Sequence, residues 1–472
     1  MEASAIVRVP AGNQGAGFDA AGLVGELRDY FISGGTRSLD WRRRQLRQLS
    51  RMLADHEARF LEALKADLHK APLEGWATEV SSVQGDIQHA LKHLKKWMRR
   101  RKVATPMVVQ PGKSYVQPEP LGVVLVIGAW NYPLQLALAP LVPAIAAGNC
   151  AVLKPSELAP ATSALIEELL PQYLDNGAFR VVPGAVEETT ALLEQRWDHI
   201  LYTGGGNVGK IVMAAAAKHL TPVTLELGGK SPCIVADDAD LEVTARRIAW
   251  GKFTNAGQTC IAPDYLLCTP AMAARLLPAI ADATREMFGE EAKASDDYGR
   301  IVNSRHAARL AAYLEDGEAF MGGEADVEER YIAPTILTGV SLDSVVMQEE
   351  IFGPILPVVE IESLDMVEDF VNGRDKPLAL YVFSQDDAFA DRILENCSSG
   401  NACVNDCMMF MAVHDLPFGG VGPSGMGAYH GEHGFKTFSH FKAVLKKKTM
   451  LDLKVRYAPF TSGKFKLLRK LR

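Results

Sequence analysis

From Leu23 to about Arg101, apolar residues recur at helical spacing. Leu46, Leu49, Leu53, Phe60, Leu61 and Leu64 follow one another mostly at three, four or seven residues, with charges between them. That pattern predicts a run of amphipathic helices. The basic stretch Lys92 to Lys102 reads as a solvated helix face, and the Gly- and Ala-rich residues 1–20 read as poorly ordered. Met107 to Pro120 is polar, with β-type residues and prolines, and reads as an arm or edge strands. From Leu121 the texture changes to short β-branched runs that each end in Gly or Asn and lead into a helix-like stretch. "LGVVLVIGAWN", "NCAVLKPSE" and "HILYTGGGNVG" are examples. Strand–turn–helix alternation predicts a parallel sheet with crossover helices, hence an α/β fold. A second α/β series follows Leu227, and the basic run Lys442 to Lys454 reads as another arm.

The most apolar window, Leu134 to Leu153, is interrupted by Pro140, Pro143, Gly148 and Asn149. It predicts a buried helix and a strand, not a membrane span. The tail "KFKLLRKLR" (464–472) admits two readings, a basic helix at a membrane surface or a terminal helix docked on its own protein; its shortness favours docking. A length of 472 residues predicts two or three domains. The net charge of −7, spread without a basic domain, argues against nucleic acid as a main partner. Seven scattered cysteines fit a reducing compartment and not a disulfide framework. Cys403 and Cys407 lack the partners of a zinc site and read as buried thiols, so no metal is expected.

Three segments carry candidate chemistry. In "DHILYTGGGNVGKIV" (198–212), Gly204, Gly206 and Gly209 match GxGxxG, a turn whose helix amides favour a pyrophosphate. The same fingerprint asks for an acid about 20 residues on, which points to Glu226 as a ribose ligand. Its setting, "VTLELGGKSP", suits instead a carboxylate reaching into a cleft beside Gly228 and Gly229, and a raised pKa there would make a general base. A salt-bridged strand-end acid competes with both readings. In the third segment, Trp250, Phe253, Thr254 and Gly257 fall at helical spacing and end just before Cys260 in "NAGQTCIAPDY". Such a stripe is more often core than substrate funnel, and a lone Cys is usually a buried hydrophobe. A Cys in a polar, glycine-containing turn at a helix end is the setting in which a thiolate is stabilised.

Seven motifs in order, "GAWNYP" (128–133), "LKPSE" (153–157), "TGGGNVG" (203–209), "LELGGKSP" (225–232), "GQTC" (257–260), "EIFGP" (350–354) and "PFGGVGPSGMG" (417–427), resemble the aldehyde dehydrogenase superfamily. "CIAPDY", "YIAPT" and "YHGEHGFKTFSH" are similar to its class 3 branch. The resemblance implies an NAD(P)-dependent oxidation of aldehydes, medium-chain aliphatic or aromatic, to carboxylic acids. It implies that Cys260 attacks as a thiolate of lowered pKa, that the Asn131 side chain and the Cys260 backbone N–H hold the oxyanion, and that Glu226 activates the water that hydrolyses the thioester. Glu157 and Lys154 would take the adenine ribose, which settles the ambiguity over Glu226. Trp130, Gly204, Gly205 and Gly209 would lie near the pyrophosphate, Glu350 and Phe352 at the nicotinamide end, and Trp250, Phe253 and Thr254 along the substrate path. Gly205 and Gly206 replace hydroxyl residues found in many relatives, and Glu157 favours NAD although class 3 relatives also take NADP.

The implied architecture is a Rossmann-like cofactor domain (1–104 and 120–227), an α/β catalytic domain (228–434), and a small β bridging element (105–119 with 435–472) that pairs subunits into a homodimer. A soluble, cytoplasmic form without an integral membrane anchor is expected. Two other readings stay open: an acyl-transferring relative that passes the thioester to coenzyme A or phosphate, and a non-catalytic binding protein on the same fold.

Overall fold

A computed structural model describes residues 18–452 and 454–470. Most of residues 1–20, read as poorly ordered, lie outside that range. The helical stretch resolves into Ala20–Ser33, Leu39–Asp55, Glu57–Leu68 and Ser81–Trp97, with a short helix Pro72–Gly75 and a π-helical turn Trp76–Val80 before the last. Some starts are capped locally and others from a distance. Ser38 accepts from Trp41 N–H (3.0 Å), and the helix it caps buries Leu46, Leu49, Met52 and Leu53. Asp67, itself buried, reaches across to accept from the first amides of helix Pro160–Tyr173, Ala161 (3.0 Å) and Thr162 (2.9 Å). The basic run departs from its sequence reading: the helix stops at Trp97, and Arg101–Val103 is a strand paired with the arm.

Leu134–Leu153 forms two buried helices, Pro133–Leu138 and Leu141–Ala147, which break at Pro140, then strand Cys150–Lys154. Among the described residues no helix is long and apolar enough to cross a membrane.

A six-stranded sheet runs in the order 425–426, 223–226, 199–203, 123–127, 150–154, 179–181, parallel except for the two-residue edge strand. Its central strands are buried along their whole length, which is why they read as unbroken apolar runs. The second sheet has seven strands in the order 318–321, 335–338, 355–360, 265–268, 232–235, 379–383, 401–404. A third sheet joins 101–103, 112–120 and 439–447, all antiparallel. The chain is thus α/β with two helix-covered sheets and a small β element. The tail departs from the docked reading: helix Ser462–Lys470 buries none of its residues.

Candidate active site

The carboxyl ends of four adjacent parallel strands converge on one crevice. Strand Val123–Ile127 leads to Trp130 and Asn131, Cys150–Lys154 to Glu157, His199–Thr203 to the glycine turn, and Val223–Glu226 ends on Glu226 itself. Chain order reverses between 123–127 and 199–203, the switch point at which open α/β sheets bind ligands.

Gly205 caps the twelve-residue helix Gly206–Ala217, and no atom lies within 4 Å of where a Cβ would stand on Gly205 or Gly206. Open space at the amide end of a helix suits a pyrophosphate. Gly209 is a packing glycine, since a Cβ there would come within 2.9 Å of Leu227. The adjoining groove, about 570 Å³, is lined by Gly206, Leu227 to Lys230 and Glu350 among others. These surroundings fit a dinucleotide. Lys154 is buried, donates to Pro155 O (2.8 Å) and stands 3.6 Å from the exposed Glu157 carboxylate. Burial lowers its pKa, and Glu157 partly restores it.

Glu350 comes from the other sheet's side and meets the crevice over Gly228. A Cβ on Gly228 would fall 2.1 Å from both Glu350 oxygens, so a side chain there would push the acid aside. Burial, then the nearby Asp264 charge, raises Glu350 to about 8. Lys230 anchors the segment by pairing with Asp264 and donating to the carbonyls of Val346 (2.7 Å) and Glu349 (2.9 Å). Phe352, at φ 50°, meets Trp130 edge to face with ring centroids 5.2 Å apart.

Cys260 follows an unusual turn. Helix Leu241–Phe253 ends, and Asn255, Ala256 and Gly257 all take left-handed backbone, at φ 55°, 50° and 72°. Each non-glycine residue held there costs roughly 1–2 kcal/mol. Side-chain amides hold the turn. Asn255 Nδ2 donates to Asn131 O (2.8 Å) and Gln258 O (3.1 Å), and Gln258 Nε2 donates to Asn255 O (3.0 Å) and Arg300 O (2.9 Å). From across the crevice Asn131 Nδ2 donates to Gln258 O (3.0 Å), while the Tyr132 and Thr259 hydroxyls lie 2.7 Å apart. Asn131 and Cys260, 129 positions apart in the numbering, are therefore tied into one unit.

Both Glu226 oxygens are buried without a hydrogen-bond partner, and burial lifts the carboxyl well above its ordinary value. The Cys260 thiol contradicts the expectation of a lowered pKa. It is raised, by burial first and then by the charges of Glu350 and Glu226. The Cys260 and Ile261 backbone amides pull the other way, but burial and the two acids outweigh them, so the resting thiol is disfavoured as a thiolate.

A cavity of about 500 Å³ opens on Cys260 and is lined by Trp250 and Thr254, one helical turn apart. Phe253 is a correction: it is fully buried in the core and does not line the cavity, because it points to another side of the same helix. Sequence reasoning missed Tyr132, Leu136, Phe418 and the methionines 408, 409 and 411, which also form the wall. The signal was present in "CMMFMAV" (407–413), since clustered methionine often marks an adaptable apolar surface. Cys407 is buried, but Cys403 is only half-buried, short of the buried thiol expected.

The Aldehyde dehydrogenase family profile matches residues 28–444. The chain belongs to the aldehyde dehydrogenase family. Its relatives place it beside class 3. Aldehyde dehydrogenase family 3 member A2 of Macaca fascicularis is 50% identical over 95% of this chain and 94% of its own length. The dimeric NADP-preferring aldehyde dehydrogenase of Canis lupus familiaris is 49% identical over 93% of this chain and 97% of its own. Among solved structures, the substrate-bound state of Staphylococcus aureus AldH superposes with a TM-score of 0.93 at 44% identity, covering 95% of this chain and 98% of that one. An indole-3-acetaldehyde dehydrogenase in complex with NAD+ gives 0.82 at 26% identity, over 91% and 89%. This aldehyde dehydrogenase is an NAD(P)-dependent oxidoreductase acting on aldehydes.

Proposed function

We propose that this aldehyde dehydrogenase is hydrolytic, with Cys260 as nucleophile and Glu226 as the base that releases the acid. The observation that carries this is Glu226, a buried carboxylate with both oxygens free and close enough to Cys260 for its charge to act on the thiol. Because the resting thiol is protonated, the nucleophile forms only as its proton leaves to solvent; Glu226, itself of raised pKa, is suited to activating the hydrolytic water and passing its proton on to the departing sulfur. The thiolate adds to the carbonyl carbon. The Asn131 side-chain amide and the Cys260 backbone N–H then stabilise the oxyanion as fixed donors. Bound nicotinamide supplies the hydride acceptor. The thioester left on Cys260 is cleaved by water that gives its proton to Glu226, returning the thiol and the carboxylic acid. Glu157 with Lys154, the turn at Gly204, Gly205 and Gly209, and Glu350 with Phe352 and Trp130 hold the dinucleotide. The apolar wall of Trp250, Leu136, Phe418 and three methionines supports medium-chain aliphatic or aromatic aldehydes.

Glu226→Gln tests the assignment. One equivalent of NADH from hexanal, followed by a stall with the acyl group on Cys260 by intact mass spectrometry, is the expected outcome. Steady turnover at the native rate removes Glu226 as base, and a stoichiometric acyl-CoA product from the native enzyme favours the acyl-transferring reading. We further propose that the 101–103, 112–120 and 439–447 sheet bridges two subunits, since its outer strand 439–447 exposes Phe441 and Leu445 along an unpaired edge. Light scattering at the monomer mass refutes this.

A further inference from the structure

Lys70 and Glu79 form an ion pair with both side chains fully buried, Nζ to Oε1 2.5 Å. Neither lines the cavity at Cys260 or the cofactor groove. A buried pair is a poor stabiliser, because desolving two charges cancels most of their attraction and an apolar pair of equal volume does as well or better. What this pair holds is informative. Lys70 Nζ also donates to Asn131 O (3.0 Å) and lies 3.9 Å from the centroid of the Tyr132 ring. The other Glu79 oxygen accepts from the Leu134 (2.9 Å) and Gln135 (3.2 Å) amides, the first free amides of the helix that Pro133 begins. The pair thus grips the chain on both sides of Asn131 and Tyr132. Glu79 reaches this point from the π-helical turn Trp76–Val80, where the helical register is interrupted.

On the far side, Asn131 and Tyr132 are bonded to Gln258, Asn255 and Thr259 of the Cys260 turn. Asn131 O therefore has two donors of different origin, Lys70 from the helical layer and Asn255 from the nucleophile turn. With the carbonyl clamped, the side-chain amide keeps one N–H on Gln258 O and leaves the other for the substrate oxygen.

We propose that Lys70 and Glu79 are positioning residues for the oxyanion site: they fix the Asn131 amide relative to Cys260 and act on the rate only through it. This rests on the assignment of Asn131 as oxyanion donor. Loosening the clamp lets the amide drift by a fraction of an ångström to an ångström, enough to cost about 10²-fold in the chemical step.

The test is a double-mutant cycle between Lys70→Met and Asn131→Ala, read as kcat for hexanal, with aldehyde KM and the calorimetric Kd for NAD measured alongside. Asn131→Ala alone should lower kcat by 10²-fold or more; no loss would sink the oxyanion assignment itself. Given that loss, Lys70→Met should lower kcat about 10²-fold in the native background, leave NAD affinity within about twofold, and lower kcat less than about threefold beside Asn131→Ala. Equal losses in the two backgrounds, or a native kcat in Lys70→Met, overturn the positioning role. Glu79→Gln, which keeps an acceptor for the helix amides, runs the same cycle if the methionine variant does not fold. Failure of both to fold assigns the pair to the scaffold and also overturns the proposal.

Discussion

Replacing Gly257 with Ala tests the geometry of the nucleophile turn at its tightest point. The residue has φ 72°, and a Cβ there would lie 2.2 Å from Gly353 O and 2.7 Å from Pro354 N. Left-handed backbone costs an alanine roughly 1–2 kcal/mol. The overlap is with backbone, so no side chain can swing away, and ordinary contact requires the two segments to separate by more than about 1 Å. Overpacking of this kind costs typically ~1–3 kcal/mol, for a total of about 2–5 kcal/mol. The chemical consequence is sharper, because Gly353 and Pro354 close the segment that carries Glu350 and Phe352. An ångström of separation between Cys260 and that segment should lower kcat about 10²-fold. Hexanal turnover at saturating NAD, with the thermal midpoint recorded on the same samples, measures both. Gly205→Ala is the internal control: nothing lies within 4 Å of its Cβ position, so stability should be unchanged. Native stability and turnover in Gly257→Ala would refute the left-handed turn and the close approach together.

Two further outcomes follow from buried charges. Glu350 has a folded pKa of about 8 against an ordinary 4.5. Its contribution to stability is full below about pH 4.5 and is lost as pH rises toward 8. Glu350→Gln should therefore gain thermal stability over the native protein between pH 5 and 8 while binding NAD more weakly; a constant difference across that range would show the carboxyl is not raised. Lys252 is fully buried without a hydrogen-bond partner, and burial lowers it to about 8. Lys252→Met removes a cation whose folded form resists protonation, so it should raise the thermal midpoint at pH 7, with the gain shrinking toward pH 10; a lower midpoint at pH 7 would mean the ammonium has a partner.

The parts of this fold legible in the sequence are those written in local periods. Fully buried parallel strands leave unbroken apolar runs, and glycine turns punctuate them, so the α/β texture and the glycine turn before helix Gly206–Ala217 are readable from residues alone. Facing is harder. Trp250, Phe253 and Thr254 share a helical spacing, but Trp250 and Thr254 border the cavity while Phe253 packs in the core. A rotation of about 100° per residue decides between them, and nothing local records which side the cavity takes. Pair identity is harder still. Lys70 and Glu79 look like surface charges nine residues apart until the π-helical turn brings them into the interior. The raised Cys260 thiol depends on Glu226 and Glu350, 34 and 90 positions away in the numbering, so the sequence around the cysteine suggested the opposite direction.

Some of the molecule's unmet polar needs lie at the site. Native proteins leave few buried polar atoms unpaired, and strained backbone persists only where surrounding structure enforces it. Among the described residues, the two Glu226 oxygens, Asn255 Oδ1 and Lys252 Nζ are buried without partners. Asn255 also carries left-handed backbone in the three-residue turn before Cys260, and Lys252 is in the helix that leads into it. A scaffold selected for stability alone would exchange such groups for apolar ones. Those that lie where two sheets deliver Asn131, Glu226, Cys260 and Glu350 to one crevice are the ones the proposed chemistry can use. The Lys70–Glu79 clamp is of the same kind: a buried charge pair that adds little to folding serves a site whose chemistry depends on where one amide hydrogen points.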